Sequence, residues 1–145
     1  MLTSSPLFDI GINNHNKQSQ EAMAEVLQRA LAVGVEHVML TGTSVASVKK
    51  AQALVDAHGR ETGTHGVTLY TTVGVHPHYA SHCKNVQASM EELEALASHP
   101  SVAAVGECGL DFNRMNSPRQ QYVQEQCSIL VGVGAGLGRA RRVGA

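Results

Sequence analysis

Short apolar runs and amphipathic stretches take turns four times along this chain, and few folds accept that order. "LFDIGI" (Leu7–Ile12) reads as a strand. Ala22, Met23, Val26, Leu27, Ala30 and Leu31 then form the stripe of a surface helix, stopped at Gly34. "VEHVMLTG" (Val35–Gly42) is a second strand; Thr43 or Ser44 caps a helix carrying Val48, Ala51, Leu54 and Val55, with Gly59 after it. "VTLYTTVGV" (Val67–Val75) is β-branched and makes strand three. Met90, Leu93, Leu96 and Ala97 mark a third helix, closed before Pro100. "VAAVGECGL" (Val102–Leu110) is strand four, and Ser117-Pro118-Arg119-Gln120 opens a fourth helix with Ser at N-cap, Pro at N1 and Gln at N3.

This βαβαβαβα order, with strand starts roughly 30 residues apart, implies an α/β fold with a parallel sheet and crossover helices. An open doubly wound sheet and a (β/α) barrel both fit. The residues after the strands help to choose. Asn13 and Asn14 follow strand one, Thr41 and Thr43 strand two, His76 and His78 strand three, and Glu107 and Asp111 close strand four. In a barrel these ends converge on one mouth. "GINNHN" after strand one is not the glycine fingerprint of a dinucleotide site. The order favours a TIM-type barrel, but such a barrel needs eight βα units and ~250 residues. Four units stand in these 145 residues, so a partial barrel is expected.

Composition excludes several classes. Hydrophobic residues make up 43% and charged ones 16%, which suits a packed domain and not a disordered chain. The net charge of -1 carries no basic excess, so any contact with nucleic acid must be local. Cys83, Cys108 and Cys127 are odd in number and include no Cys-x-x-Cys, which speaks against a disulfide scaffold and suits a reducing compartment. No signal-like start and no membrane-length apolar run occur, so a soluble, cytoplasmic protein is expected.

Glu107 is the first candidate for chemistry. It sits inside the apolar run of strand four, and both faces of a parallel strand are covered. A bare carboxylate there costs several kcal/mol, and a divalent cation (Mg²⁺, Mn²⁺ or Zn²⁺) would offset its charge. A pairing with Arg114 or with a backbone amide explains it equally well. In "GVHPH" (Gly74–His78), Pro77 favours an extended His76, which puts His76 and His78 at the mouth. There they can ligate a metal, position a phosphate or shuttle a proton, or serve as ordinary loop histidines. Asp111 can hold a water or orient a neighbour, and Arg114 can clamp a phosphate; alternatively the two pair with each other. Cys108 reads as a small core residue rather than a nucleophile. His82 reads as a surface residue, and His15, His37, His58, His65 and His99 as loop or helix-end histidines.

Four motifs in series, "FDIGIN" (Phe8–Asn13), "LTGTS" (Leu40–Ser44), "VGVHPH" (Val73–His78) and "VGECGLDFNR" (Val105–Arg114) followed by "SP", resemble the TatD family of metal-dependent deoxyribonucleases. The resemblance runs over roughly residues 7 to 126. It implies an amidohydrolase-type (β/α)₈ barrel that hydrolyses phosphodiester bonds with one or two divalent ions and takes DNA as substrate. Glu107 matches the family's metal-binding glutamate, and His76 a mouth histidine needed for activity or substrate positioning. Gly11 and Asn13 stand where many members carry a His-x-His pair, as in the branch whose first strand reads DIGxN. The family continues into later strands that supply two more His and an Asp as ligands. Here residues 131 to 145 hold five Gly and three Arg instead.

The resemblance thus implies that residues 1–126 are the N-terminal half of such a hydrolase. Residues 127–145 form a Gly/Arg-rich tail whose abrupt composition points to a frameshift, a mis-called intron or a truncated gene model. The catalytic candidates are His76 and Asp111, the substrate-binding candidates His78 and Arg114, and the metal ligand Glu107. Four strands cannot close a barrel, so exposed sheet edges and self-association are expected, and hydrolysis by this polypeptide alone is expected to be weak or absent. The alternative is a non-catalytic half-barrel that acts as a binding or oligomerisation module.

Overall fold

The computed structural model describes residues 5–13, 20–58 and 66–114. Four strands, β1 (Leu7–Ile12), β2 (Val35–Leu40), β3 (Thr68–Val73) and β4 (Val102–Val105), form one sheet in sequential order. Every pairing in it is parallel. Helices α1 (Gln20–Ala32), α2 (Val45–His58) and α3 (Val86–Ala97) make the crossovers, and a short 3₁₀ helix (Pro77–His82) precedes α3. This is four strands of a barrel-type sheet, as the alternation implies. The fourth helix expected from Ser117, and residues 127–145, lie outside the described residues.

The helices form where the apolar stripes are. Met23 and Leu27 of α1, Ala51, Leu54 and Val55 of α2, and Val38, Leu40 and Leu69 of the sheet make one core cluster. Val48 of α2, Val73 of β3, Val75, Ala80 and Leu93 of α3 make a second. Each large side chain fully buried there contributes about 1.5–3 kcal/mol. Ser44 is the cap of α2: its Oγ accepts from the Ser47 amide at 3.2 Å. Asn85 caps α3 through the Ala88 amide at 3.0 Å, a cap that the helical stripe alone does not reveal.

Register divides the sheet into two faces. Val38 pairs with Leu69 and Leu40 with Thr71, and these point towards the helices. Phe8 pairs with His37, and Met39 with Tyr70, on the other face. There the rings of Phe8, His37 and Tyr70 cluster with centroids 5.3 to 6.0 Å apart. Phe8 stays 45% exposed and Ile10 74%, so this face is open where the helical face is closed. His37 is therefore a mid-strand residue in a ring cluster, not the loop or helix-end histidine expected. No helix among the described residues is long and apolar enough to cross a membrane.

Three strands are shorter than their sequence suggests. β2 stops at Leu40 rather than Gly42, β3 at Val73 rather than Val75, and β4 at Val105 rather than Leu110. The last difference moves Glu107 out of the sheet and bears directly on the site.

Candidate active site

The ends of β2, β3 and β4 are drawn together by glycines. Gly42 donates its amide to Thr72 Oγ1 at 2.9 Å. A Cβ at Gly42 would stand 2.3 Å from the Thr72 carbonyl oxygen, closer than a side chain tolerates. At the exit of β4 the Gly106 amide still bonds the Val73 carbonyl at 2.9 Å, but the next amide, Glu107, reaches past β3 to the Gly42 carbonyl at 3.1 Å. It crosses directly over Gly74, where a Cβ would meet the Glu107 carbonyl oxygen at 2.5 Å and the Gly106 carbonyl carbon at 2.7 Å. Gly74 is thus the gap through which β4 contacts β2.

This crossing corrects the expectation for Glu107. The residue is exposed and follows the strand rather than lying inside it. Its backbone amide is bonded in the crossing, and the His76 imidazole feels the Glu107 charge. The cost of a buried carboxylate does not arise among the described residues.

His76 sits just past β3, with its amide bonded to the Thr43 carbonyl at 2.9 Å. Its Nδ1 accepts from the His78 amide at 3.1 Å. That bond places the proton of the neutral ring on Nε2. Burial lowers the His76 pKa; the Glu107 and Asp111 carboxylates pull it up, while His78 and Arg114 push it down, and the balance stays below the ordinary value. A neutral His76 with Nε2–H is therefore the resting form: a hydrogen-bond donor at the mouth.

His78 and Asp111 meet across the loops. His78 Nε2 donates to Asp111 Oδ2 at 2.5 Å, and both side chains are roughly three-quarters covered. Asp111 Oδ1 accepts from the amides of Asn113, at 2.8 Å, and Arg114, at 3.1 Å. These bonds, the one from His78 first, hold the Asp111 carboxyl down to about 2. The Asp111–Arg114 pairing weighed from spacing is a backbone contact, Arg114 amide to Asp111 carboxylate. Cys108 packs against the second core cluster, and burial pushes its thiol up, in line with a core role.

The arrangement is a relay of positions. Asp111 orients the His78 ring, the His78 backbone sets the His76 tautomer, and His76 presents an N–H to whatever binds at the mouth. Glu107 adds a carboxylate on the same side. Spacing alone does not reveal the glycine crossing or the tautomer. The one visible signal is that a glycine follows each of the last three strands, at Gly42, Gly74 and Gly106. Among the described residues no group of three His, Cys, Asp or Glu is arranged to hold a metal ion. Among the described residues at this mouth Glu107 brings a carboxylate, so these residues fit a divalent ion only in part.

Residues 8–131 match the family model described as TatD related DNase. The chain is 41% identical over 113 residues to the 3'-5' ssDNA/RNA exonuclease TatD of Rahnella sp. (strain Y9602), covering 77% of this chain and 39% of that protein. It is 38% identical over 126 residues to the protein of the same name from Citrobacter koseri, covering 86% of this chain and 45% of the relative. Among solved structures, a TatD family hydrolase from Entamoeba histolytica superposes with a TM-score of 0.76 at 26% identity, over 91% of this chain and 46% of that one. An uncharacterized amidohydrolase from Saccharomyces cerevisiae, at 22% identity and a TM-score of 0.65, shares the fold. The chain spans less than half the length of these relatives. With the family match running from the first strand past the His76–Glu107–Asp111 mouth, this chain belongs to the TatD-related DNase family.

Proposed function

We propose that this chain contributes the N-terminal half of a metal-dependent hydrolase that cleaves phosphodiester bonds in nucleic acid, with DNA as a substrate. The single observation that supports this best is the neutral His76 Nε2–H held at the mouth beside Glu107. In this reading Glu107 holds the ion, with further ligands from outside the described residues. A bound Mg²⁺, Mn²⁺ or Zn²⁺ would supply Lewis acidity towards the phosphoryl oxygens and a more acidic water. The chain's own residues do the rest. His76 Nε2–H donates to a phosphoryl oxygen as charge builds there. His78 and Asp111 keep that donor aimed, and Arg114 adds positive charge for the backbone of the substrate.

One carboxylate is fewer than the three protein ligands of an ordinary catalytic metal site. Slow hydrolysis by the 145-residue chain alone, and restored hydrolysis on adding the C-terminal half of a relative, are therefore expected. The test is cleavage of labelled single-stranded DNA with each ion, using wild type and Glu107→Gln. Loss of metal-dependent cleavage in Glu107→Gln supports the reading, whereas equal cleavage by both proteins overturns it.

The open sheet face favours a second reading, a half-barrel that associates with another chain. Phe8 and Ile10 on that face stay largely exposed, a surface that monomers usually cover. Sedimentation of wild type against Phe8→Ser decides between a self-associating and a monomeric chain.

A further inference from the structure

We propose that Tyr79 and His82 form a stacking platform for the bases of a single nucleic-acid strand, leading that strand to the His76 site. The inference rests on the nuclease reading above and names how its substrate is held.

Four rings follow one another from the site outwards. His78 and His76 stand edge to face at 4.4 Å, His76 and Tyr79 at 6.4 Å, and Tyr79 and His82 at 5.6 Å. The last two contacts are steep, at 75° and 68°, so neither neighbour lies flat on the tyrosine ring. The Tyr79 backbone is nonetheless held: its amide bonds the His76 carbonyl at 2.8 Å, within the 3₁₀ helix that Pro77 starts. The residue is also 40% exposed. A half-open tyrosine ring is a scarce surface in a chain that holds only three Tyr, two Phe and no Trp.

A pocket of about 250 Å³ opens beside this row, with Tyr79, His82, Val45 and Ala46 in its lining. Ser44 and Ser89 bring hydroxyls to it, and Glu92 a carboxylate that also pairs with Lys49. A flat group resting on Tyr79 would find apolar side chains and hydrogen-bonding groups in the same pocket, which matches a nucleobase. Every base has a π-face, so such a platform accepts any sequence. The net charge of -1 gives no general attraction for phosphates, so contacts to bases must supply affinity that a basic groove would otherwise provide.

The test is binding of a fluorescein-labelled single-stranded oligonucleotide to the full chain in EDTA, read by anisotropy, with an abasic oligonucleotide of equal length in parallel. Tyr79→Ala and His82→Ala should each weaken binding of the normal strand, Tyr79→Ala by roughly tenfold. Tyr79→Phe should bind as wild type. The abasic strand should bind weakly and equally to all four proteins. Because His82 is exposed, His82→Ala reports on the platform even if Tyr79→Ala fails to fold. Equal binding of normal and abasic strands by wild type, or no strand binding at all, overturns the proposal. Base-dependent binding without Glu107-dependent cleavage would instead count against the hydrolase reading and leave the platform standing.

Discussion

Two clusters, at opposite ends of the sheet, each pair a histidine with an aspartate, and they serve different ends. At the strand exits, His78 meets Asp111 and sets up His76 beside an exposed Glu107. At the entry to β4, His99 Nε2 lies 3.2 Å from Asp56 Oδ1, and His99 Nδ1 lies 2.8 Å from Ser101 Oγ. The second cluster has the residue types of a catalytic triad, yet Ser101 is fully buried and its hydroxyl is shared between His99 Nδ1 and Thr71 Oγ1, the latter at 3.0 Å. His99 Nδ1 also accepts from the Ser101 amide at 3.2 Å. The buried side of the entry cluster, His99 to Ser101 to Thr71, is spent on internal hydrogen bonds, and its exposed Asp56 ties α2 to the entry of β4. The exit cluster leaves one donor and one carboxylate open. Residue types do not distinguish these sites; unspent hydrogen-bonding capacity does.

The sharpest way to break the comparison is to remove the crossing that assembles the exits. Gly74→Ala forces a Cβ against the Gly106 and Glu107 backbone and should cost about 3 kcal/mol, measured by urea unfolding. A loss under 1 kcal/mol would mean that the crossing relaxes easily and does not hold Glu107 in place. Next in size, Ser101→Ala strips a buried partner from Thr71 and His99 and should cost about 2 kcal/mol, with little effect on ligand binding at the exits.

A pH series sharpens the contrast. The fold holds the Asp111 carboxyl down to about 2 against an ordinary 3.8, so the native state favours the ionised form. The stability from this bond is complete above the unfolded-state value and is lost as pH falls through the folded one. The gap in urea midpoint between wild type and Asp111→Asn should therefore be full at pH 5, have mostly closed near pH 2 and vanish only below that. A gap still full at pH 2 would rule out the His78–Asp111 pair as its source. The smallest effect belongs to the entry cluster: Asp56 is 69% exposed, so Asp56→Asn should change stability by about 0.5 kcal/mol or less.

Much of the fold was legible because it is written in local periods. Met23 and Leu27, or Val48, Ala51 and Val55, repeat with the helical turn and are buried as that repeat demands. Thr43 and Ser44 both advertised the α2 cap, and Ser44 makes it. The candidate site was legible as a set of residues, His76, His78, Glu107, Asp111 and Arg114, but not as an arrangement. Strand four read as continuing through Glu107 because "VGECGL" is apolar around it. Its true end at Val105 depends on a bond to Gly42, a residue 65 positions earlier by the numbering of that pair.

The sequence by itself determined the order of elements, the parallel sheet and the meeting of polar residues at its exits, since strand and helix periods and crossover handedness are local or nearly so. Only the tertiary structure decided that Glu107 faces solvent, that His76 carries its proton on Nε2, and that Tyr79 and His82 extend a row of rings from the mouth. Each of these turns on which distant backbone groups come within about 3 Å, and no pattern within one segment records that.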